Sequence, residues 1–265
     1  MVTWKGRKQF GEQQRKARQA RRGGSGEKEE STFTGRGLKV RVKTARGRSN
    51  SSARWLERQL NDPYVAEAKK RGLRSRAAFK LLQIDDRFRV ITRAARVVDL
   101  GAAPGGWCQV VQKRAGKEAK IVGMDLLEIE GMAGVTFLQG DFMDGEAPDN
   151  LKTALGGPAD LVISDMAAAS SGHPPTDHLR IMGLVEAALE FAKEVLEPKG
   201  NFVAKVLQGG ADEALLEELR RNFDSVRHFK PDASRKDSSE MYVVALGYNG
   251  YRKSAASDQE DGQDA

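Results

Sequence analysis

The stretch Val97-Val98-Asp99-Leu100-Gly101-Ala102-Ala103-Pro104-Gly105-Gly106-Trp107 joins an apolar run to a glycine-rich turn, and a helical pattern follows. A turn of this kind lets backbone N–H groups approach a ligand at the N-terminus of a helix. Polar residues also stand at or near the ends of later apolar runs, at Ser164-Asp165, Lys205 and Glu240. These features predict an α/β protein that binds a small molecule beyond the ends of its strands.

Strand-like apolar runs alternate with helical patterns after residue 95. The strand-like runs are Arg96–Gly101, Lys120–Leu126, Val135–Phe142, Asp160–Met166, Gly200–Leu207, Ser225–Pro231 and Met241–Tyr248, and the helical ones are Gly105–Ala115, Pro148–Leu155, Asp177–Leu196 and Ala211–Asn222. This alternation predicts right-handed βαβ units and a doubly wound, mostly parallel sheet of seven strands. The link 232–240 between the last two strands lacks a helical pattern, so we expect these strands to form an antiparallel pair at one edge.

Two further helices are predicted between Tyr64 and Ile91. Gly72 separates them, and Ser75 is the candidate N-cap of the second. We expect a basic, disordered arm over residues 1–51, a folded domain over 52–250 and an acidic, disordered tail over 251–265.

The net charge of +7 is concentrated in the N-terminal arm. Residues 1–50 carry 15 Lys and Arg against 4 Asp and Glu, whereas residues 51–265 carry a net charge of −4. A basic arm with few aromatic residues is typical of segments that contact phosphate backbones; a solubilising tail is the alternative.

No apolar stretch reaches the roughly 18 residues of a membrane span, and the single cysteine, Cys108, excludes an internal disulfide. We expect a cytoplasmic monomer without membrane contact.

The glycine turn departs from two common nucleotide-binding motifs. A Walker A loop requires Lys and then Ser or Thr after its last glycine, where this chain has Trp107 and Cys108. A dinucleotide fingerprint requires G-x-G-x-x-G, and its second glycine is absent here. A nucleoside triphosphate site and hydride transfer from NAD are therefore both disfavoured.

A third ligand, S-adenosylmethionine, fits the turn better. Asp99 and the glycines are placed to hold its charged amino-acid end. Asp125 ends the second strand about 20 residues after the turn, where a ribose hydroxyl pair needs an acceptor. Asp141 ends the third strand, where it can accept from an adenine amino group. Each aspartate alone is as consistent with a helix cap or a turn, but the three together favour the ligand.

Lys205 lies inside an otherwise apolar strand, and a buried lysine is rare unless it is paired. Loss of solvation favours the neutral amine, so a lysine in this position is a candidate general base. Asp165 at the end of the fourth strand would favour the charged form, and Lys80 on a preceding helix would oppose it. The alternatives are a strand-end lysine that reaches solvent for Lys205 and a solvated helix face for Lys80.

The sequence resembles the FtsJ/RrmJ (RlmE) family of S-adenosylmethionine-dependent rRNA ribose 2′-O-methyltransferases. The resemblance extends roughly from Asp62 to Gly247 and is carried by five motifs: Arg74-Ser75-Arg76-Ala77-Ala78-Phe79-Lys80-Leu81, Gly101–Trp107, Ser164-Asp165-Met166, Phe202-Val203-Ala204-Lys205-Val206 and Ser239-Glu240-Met241-Tyr242. It implies a Rossmann-like methyltransferase fold. It also implies a catalytic tetrad of Lys80, Asp165, Lys205 and Glu240, with Lys205 as proton acceptor, and cofactor contacts at Gly105, Trp107, Asp125, Asp141 and Asp165.

The same resemblance implies a substrate, which is a uridine of the A loop in 23S rRNA within the large ribosomal subunit. Ala168 departs from the family pattern, which commonly has proline after Ser-Asp-Met-Ala. A 2′-O-methyltransferase of tRNA and a non-catalytic RNA-binding factor in ribosome assembly remain as alternatives.

Several other polar residues have open roles. Arg74, Arg76 and Arg235 are either contacts to RNA phosphates or solvated surface residues. His173 and His178 flank two prolines, but no third ligand cluster accompanies them, so they predict a plain loop and no metal site.

Overall fold

The computed structural model describes residues 56–168, 171–208 and 213–250. The basic arm and the acidic tail lie outside the described residues, so their disorder stays a prediction. None of the helices in the described ranges is long and apolar enough to cross a membrane.

Helices and strands alternate along most of the described chain. In chain order they are α1 Pro63–Lys70, α2 Ala78–Phe88, β1 Arg96–Leu100, α3 Gly106–Ala115, β2 Lys120–Asp125, β3 Val135–Gln139, α4 Ala147–Leu155, β4 Ala159–Ser164, α5 Pro174–Val195, β5 Leu196–Leu207, α6 Glu213–Asn222, β6 Phe223–Phe229 and β7 Glu240–Tyr248. These bounds follow the sequence pattern closely. The strand β3 ends at Gln139, two residues before Asp141, and β5 begins at Leu196 rather than Gly200.

The seven strands form one sheet in the order β3-β2-β1-β4-β5-β7-β6. Strands β1 to β5 pair in parallel, and β7 runs antiparallel to both β5 and β6. The predicted doubly wound sheet with an antiparallel pair at one edge is therefore confirmed. Strand β7 returns between β5 and β6, which brings its first residue to the edge where the parallel strands end.

Both faces of the sheet are covered by helices, as expected for a mainly parallel sheet. Successive strand residues point to opposite faces: Val98 and Phe202 pack in the core beneath α5, whereas Val97 and Val203 pack in the core shared with α2 and α3. This double burial fixes the strand ends rigidly and therefore the side chains that project from them.

The entry into α2 differs from the prediction. The N-cap of α2 is Ala77, which makes no side-chain capping hydrogen bond, and the Ser75 hydroxyl is buried against Gly106 instead. The prediction of Ser75 as N-cap is wrong because the segment before α2 packs on the glycine turn, and this tertiary contact determines its course.

Candidate active site

The register of the sheet gathers the predicted catalytic side chains at one edge. Lys205 on β5 stands directly opposite Tyr242 on β7, and Leu207 stands opposite Glu240. Since residues two apart on a strand share a face, Glu240 and Tyr242 project to the same side as Lys205. Asp165 follows the last residue of β4, and its N–H donates to the carbonyl of Leu100 at 3.0 Å.

Four charged side chains form an alternating row at this edge. Lys205 Nζ lies 3.0 Å from Asp165 Oδ1 and donates to the backbone oxygen of Asp165 at 2.6 Å. Asp165 Oδ2 lies 3.7 Å from Lys80 Nζ. Lys80 Nζ in turn lies 2.8 Å from both carboxylate oxygens of Glu240. The structure thus brings together all four residues of the predicted tetrad.

Burial explains why these charges are paired. Their side chains keep between 8% and 18% of their surface exposed, and charges this deep are stable only with partners. Lys80 reaches the row from α2, whose apolar face packs on the sheet through Leu81 and Ile84. The helix therefore holds this lysine against the strand ends rather than in solvent.

The central carboxylate is held in its ionised form. Burial alone would raise the pKa of the Asp165 carboxyl, but Lys205 and Lys80 outweigh it and keep that pKa below its ordinary value. Tyr242 shows the opposite effect, since burial and the adjacent Asp165 raise the pKa of its phenol well above the ordinary value. The phenol is therefore protonated at neutral pH and can donate its hydrogen bond.

Two residues of this site had no role predicted from the sequence. Tyr242 is fully buried and donates from its hydroxyl to Asp165 Oδ1 at 2.8 Å. Ser234 donates to Glu240 Oε1 at 2.9 Å. The sequence could have indicated Tyr242, because it lies two residues after Glu240 and residues two apart share a strand face. Ser234 lies in a loop, where no sequence pattern indicates its position.

The glycine turn lies beside this row and is tightly packed. Gly101 has φ +76°, and a Cβ there would lie 2.8 Å from the backbone nitrogen of Met166. Trp107 at the start of α3 is buried, packs on Tyr242 with ring centroids 5.7 Å apart, and donates from its indole to the carbonyl of Ala77 at 2.8 Å. The Trp107 side chain thus links the glycine turn to Tyr242 beside the tetrad. Its backbone lies in the first turn of α3.

Two of the predicted cofactor aspartates follow neighbouring strands: Asp125 is the last residue of β2, and Asp141 lies two residues after the end of β3. Asp125 accepts the N–H of Ala103 at 2.9 Å and that of Leu127 at 2.9 Å. Asp141 is exposed and accepts the N–H of Met143 through one oxygen. Each carboxylate is oriented by backbone donors and keeps lone pairs for a ligand.

Two buried polar atoms around the turn have no partner among the described residues. They are Asp99 Oδ1 and Ser75 Oγ. Asp99 is fully buried, accepts the Cys108 thiol at 3.1 Å through its other oxygen, and has its pKa raised to about 7 by burial. Orphaned polar atoms of this kind are rare in native interiors, so the surroundings of the turn fit a bound molecule with hydrogen-bonding groups.

A cleft of about 270 Å³ opens beside Glu240 and is lined by Arg58, Arg76, Arg235, Asp237 and Ser238. Asp62 lies 2.8 Å from Arg76 Nε and 3.5 Å from Arg235 Nε, so one carboxylate positions both side chains. Arg74 does not line this cleft. Three arginines at the entrance to a buried charged row make the cleft suitable for an anionic chain.

The structure places the two histidines at the start of α5 and not together in a loop. His173 is the N-cap residue of α5, and its Nδ1 lies 2.9 Å from Thr176 Oγ1. His178 lies within the helix. No group of three or more potential metal ligands occurs in the part of the chain that the structure describes.

Comparison with known proteins assigns the chain to a family. The FtsJ-like methyltransferase model matches residues 73–248. Ribosomal RNA large subunit methyltransferase E of Paramagnetospirillum magneticum is 60% identical over 220 residues, which are 81% of this chain and 90% of that protein. The protein of the same name from Novosphingobium aromaticivorans is 61% identical over 79% of this chain and 94% of its own length.

A solved structure is similar to this fold. A Plasmodium falciparum structure described as that of a ribosomal RNA methyltransferase superposes with a TM-score of 0.58 at 27% identity, covering 66% of this chain and 98% of that one. Fold and site therefore define a methyltransferase built on a doubly wound sheet. The chain belongs to the FtsJ-like methyltransferase family.

Proposed function

We propose that this chain transfers a methyl group from S-adenosylmethionine to the 2′-hydroxyl of a ribose in the rRNA of the large ribosomal subunit, at a uridine in the A loop of 23S rRNA. The observation that carries the proposal is the buried row Lys205–Asp165–Lys80–Glu240 beside the glycine turn. The names of its close relatives support the rRNA substrate. A ribosomal substrate would be met in the cytoplasm, which supports a cytoplasmic location for the chain as part of this proposal.

The cofactor half of the site consists of the glycine turn and the strand-end aspartates. Trp107 would offer its backbone N–H at the N-terminus of α3, where an anionic carboxylate is favoured. Gly105 would contact the cofactor through its backbone without donating, because its own N–H already donates to the carbonyl of Ala102 at 2.6 Å. Asp125 would accept from the ribose hydroxyls and Asp141 from the adenine amino group, while Asp165 borders both halves. When bound, S-adenosylmethionine supplies an electrophilic methyl group on a sulfonium.

Lys205 is the proposed proton acceptor for the ribose hydroxyl. An ammonium has three N–H donors, and Asp165 occupies two of them through its carboxylate and its carbonyl. The third direction is the one that can face a substrate hydroxyl. Lys205 would enter the step as the neutral amine, after releasing its third proton to solvent, with its lone pair toward the hydroxyl. It would then take the proton of the ribose 2′-hydroxyl as that oxygen becomes methylated, and Asp165 would stabilise the ammonium that forms.

Lys80 and Glu240 complete the acceptor side. Lys80 sits between two carboxylates, so it fixes the orientation of Asp165 while Glu240 anchors the lysine. Alignment of the hydroxyl with the methyl group by these fixed side chains can supply about 7–11 kcal/mol of the rate enhancement.

The arginine-lined cleft is the proposed path of the RNA backbone. Arg58, Arg76 and Arg235 would contact phosphates, because guanidinium groups bind phosphate through paired N–H bonds. The basic arm over residues 1–51 would add further phosphate contacts, although it lies outside the described residues.

A methyl-transfer assay with labelled S-adenosylmethionine would identify the substrate. Wild-type protein would be incubated with unmethylated large ribosomal subunits, naked 23S rRNA and tRNA, and the labelled nucleotide would then be mapped. The proposal expects label on a single A-loop uridine of the subunit. Label confined to tRNA, or binding to the subunit without any transfer, would replace it with the tRNA enzyme or the non-catalytic assembly factor respectively.

A further inference from the structure

The segment that leads into α2 packs directly on the glycine turn. Successive residues of the segment lie against successive glycines of the turn. A Cβ at Gly105 would lie 3.0 Å from Arg74 Nη1, and a Cβ at Gly106 would lie 2.5 Å from Ser75 Oγ. The indole of Trp107 donates to the carbonyl of Ala77. The segment that carries Lys80 and the proposed cofactor turn therefore form one packed unit.

Arg74 is the residue that ties this unit together. Its Nη1 donates to the carbonyl of Pro104 at 3.2 Å and to that of Glu130 at 2.6 Å, and its Nη2 donates to the carbonyl of Gly131 at 2.8 Å. Pro104 belongs to the glycine turn, whereas Glu130 and Gly131 belong to the loop that follows Asp125. One guanidinium thus bridges the glycine turn and the loop that follows Asp125, a proposed cofactor contact.

Gln109 on α3 holds the backbone of the same segment. Its Oε1 accepts the N–H of Arg74 at 2.7 Å, and its Nε2 donates to the carbonyl of Gly72 at 3.2 Å. The main chain of Arg74 is therefore fixed independently of its side chain, which aims the guanidinium at the two loops.

We propose that Arg74 is a positioning residue for the cofactor half of the site and not a contact to RNA phosphate. This inference rests on the proposed function and assigns a role that the sequence left open. Three of the five N–H donors of its guanidinium bond backbone carbonyls. A lysine cannot replace it, since a single ammonium cannot span three carbonyls that lie on two loops.

The test separates cofactor binding from RNA binding. Full-length Arg74→Ala, Arg74→Lys, Arg235→Ala and Arg220→Ala proteins would be titrated with S-adenosylmethionine by calorimetry and with unmethylated large subunits by filter binding. Arg220 on α6 pairs only with exposed Glu213 among the contacts described and serves as the surface control.

The expected pattern is selective. Arg74→Ala and Arg74→Lys should each weaken cofactor affinity about tenfold or more, because charge-assisted hydrogen bonds that hold the two loops are lost. Their affinity for the subunit should stay within about twofold of wild type, as for distant and independent sites. Arg235→Ala should show the reverse pattern, and Arg220→Ala should change neither affinity.

Three results would overturn the proposal: unchanged cofactor affinity in Arg74→Ala, a selective loss of RNA affinity in that variant, or full rescue by lysine. If Arg74→Ala does not unfold cooperatively, Gln109→Ala replaces it in the test. This variant loses the hydrogen bonds that hold the backbone of the same segment, so it should show the same selective loss of cofactor affinity. Wild-type protein that does not bind S-adenosylmethionine would instead refute the proposed function.

Discussion

The hydroxyl of Tyr242 and the ammonium of Lys205 share one acceptor, Asp165 Oδ1, at 2.8 Å and 3.0 Å respectively. The two residues stand directly opposite each other on β7 and β5. The sheet register therefore brings three residues into contact. The buried neutral hydroxyl of Tyr242 fixes the carboxylate of Asp165, and this carboxylate orients Lys205, the proposed base.

Tyr242→Phe should lower the rate of methyl transfer while leaving cofactor affinity unchanged. Loss of one hydrogen bond of this kind corresponds to roughly a two- to tenfold decrease in turnover. Single-turnover kinetics with saturating cofactor would measure it. Tyr248→Phe on the same strand, whose hydroxyl donates to the carbonyl of Lys193, is the matched control and should keep its activity. Wild-type turnover in Tyr242→Phe would show that Asp165 needs no such support.

Asp99 should make stability fall with rising pH. Burial raises the pKa of its carboxyl to about 7, above its value in the unfolded chain, so the folded state holds the proton more tightly. The resulting stabilisation is complete below about pH 4 and is lost as pH rises to about 7, by up to about 1.4 kcal/mol per pH unit.

The free energy of unfolding between pH 5 and 8 would test this. Asp99→Asn should flatten this part of the pH dependence, whereas Asp149→Asn, whose side chain is 81% exposed, should leave it as in wild type. An unchanged slope in Asp99→Asn would assign the pH dependence to other groups.

The contact between Ser75 and Gly106 predicts a suppressor. Gly106→Ala should destabilise the fold by about 1–3 kcal/mol, the usual cost of overpacking, because the new methyl group would meet Ser75 Oγ. Ser75→Ala/Gly106→Ala should recover most of that loss in thermal unfolding. Gly183→Ala, a helical site with open space around it, should not destabilise. Failure of the double variant to recover would mean that this contact is not the source of the strain.

The arginine cleft predicts a change in salt dependence. Arg235→Ala should weaken binding to the subunit and lower the slope of log affinity against log salt by about one, since each neutralised phosphate contributes about 0.7–0.9. Filter binding across a salt series would measure it, with Arg220→Ala as control. An unaltered slope would place the RNA phosphates elsewhere.

The sequence predicted the parts of the site that strand ends carry. Asp125, Asp165 and Lys205 lie in or at the ends of apolar runs, and parallel strands in a doubly wound sheet end at one edge, so their convergence followed from the pattern. Glu240 reaches the same edge because it begins β7, which runs antiparallel to β5. The position of Lys80 followed only from resemblance, because a lysine on a charged helix looks solvated until the helix is docked.

Other contacts had no signal in the sequence. Ser75 looked like a helix cap, but its place is set by packing on Gly106, a contact between segments 31 residues apart. The same holds for Arg74, whose partners are backbone carbonyls that no sequence pattern marks.

The most direct test of the central claim compares two lysines on one strand. Lys205→Ala and Lys199→Ala would be assayed for single-turnover methyl transfer to unmethylated large subunits and for S-adenosylmethionine affinity; Lys199 pairs with Asp224 and is exposed. Lys205→Ala should lose at least about a hundredfold in rate, as expected for a general base, with cofactor affinity unchanged, and Lys199→Ala should match wild type. Wild-type transfer by Lys205→Ala would contradict the assignment of Lys205 as the proton acceptor.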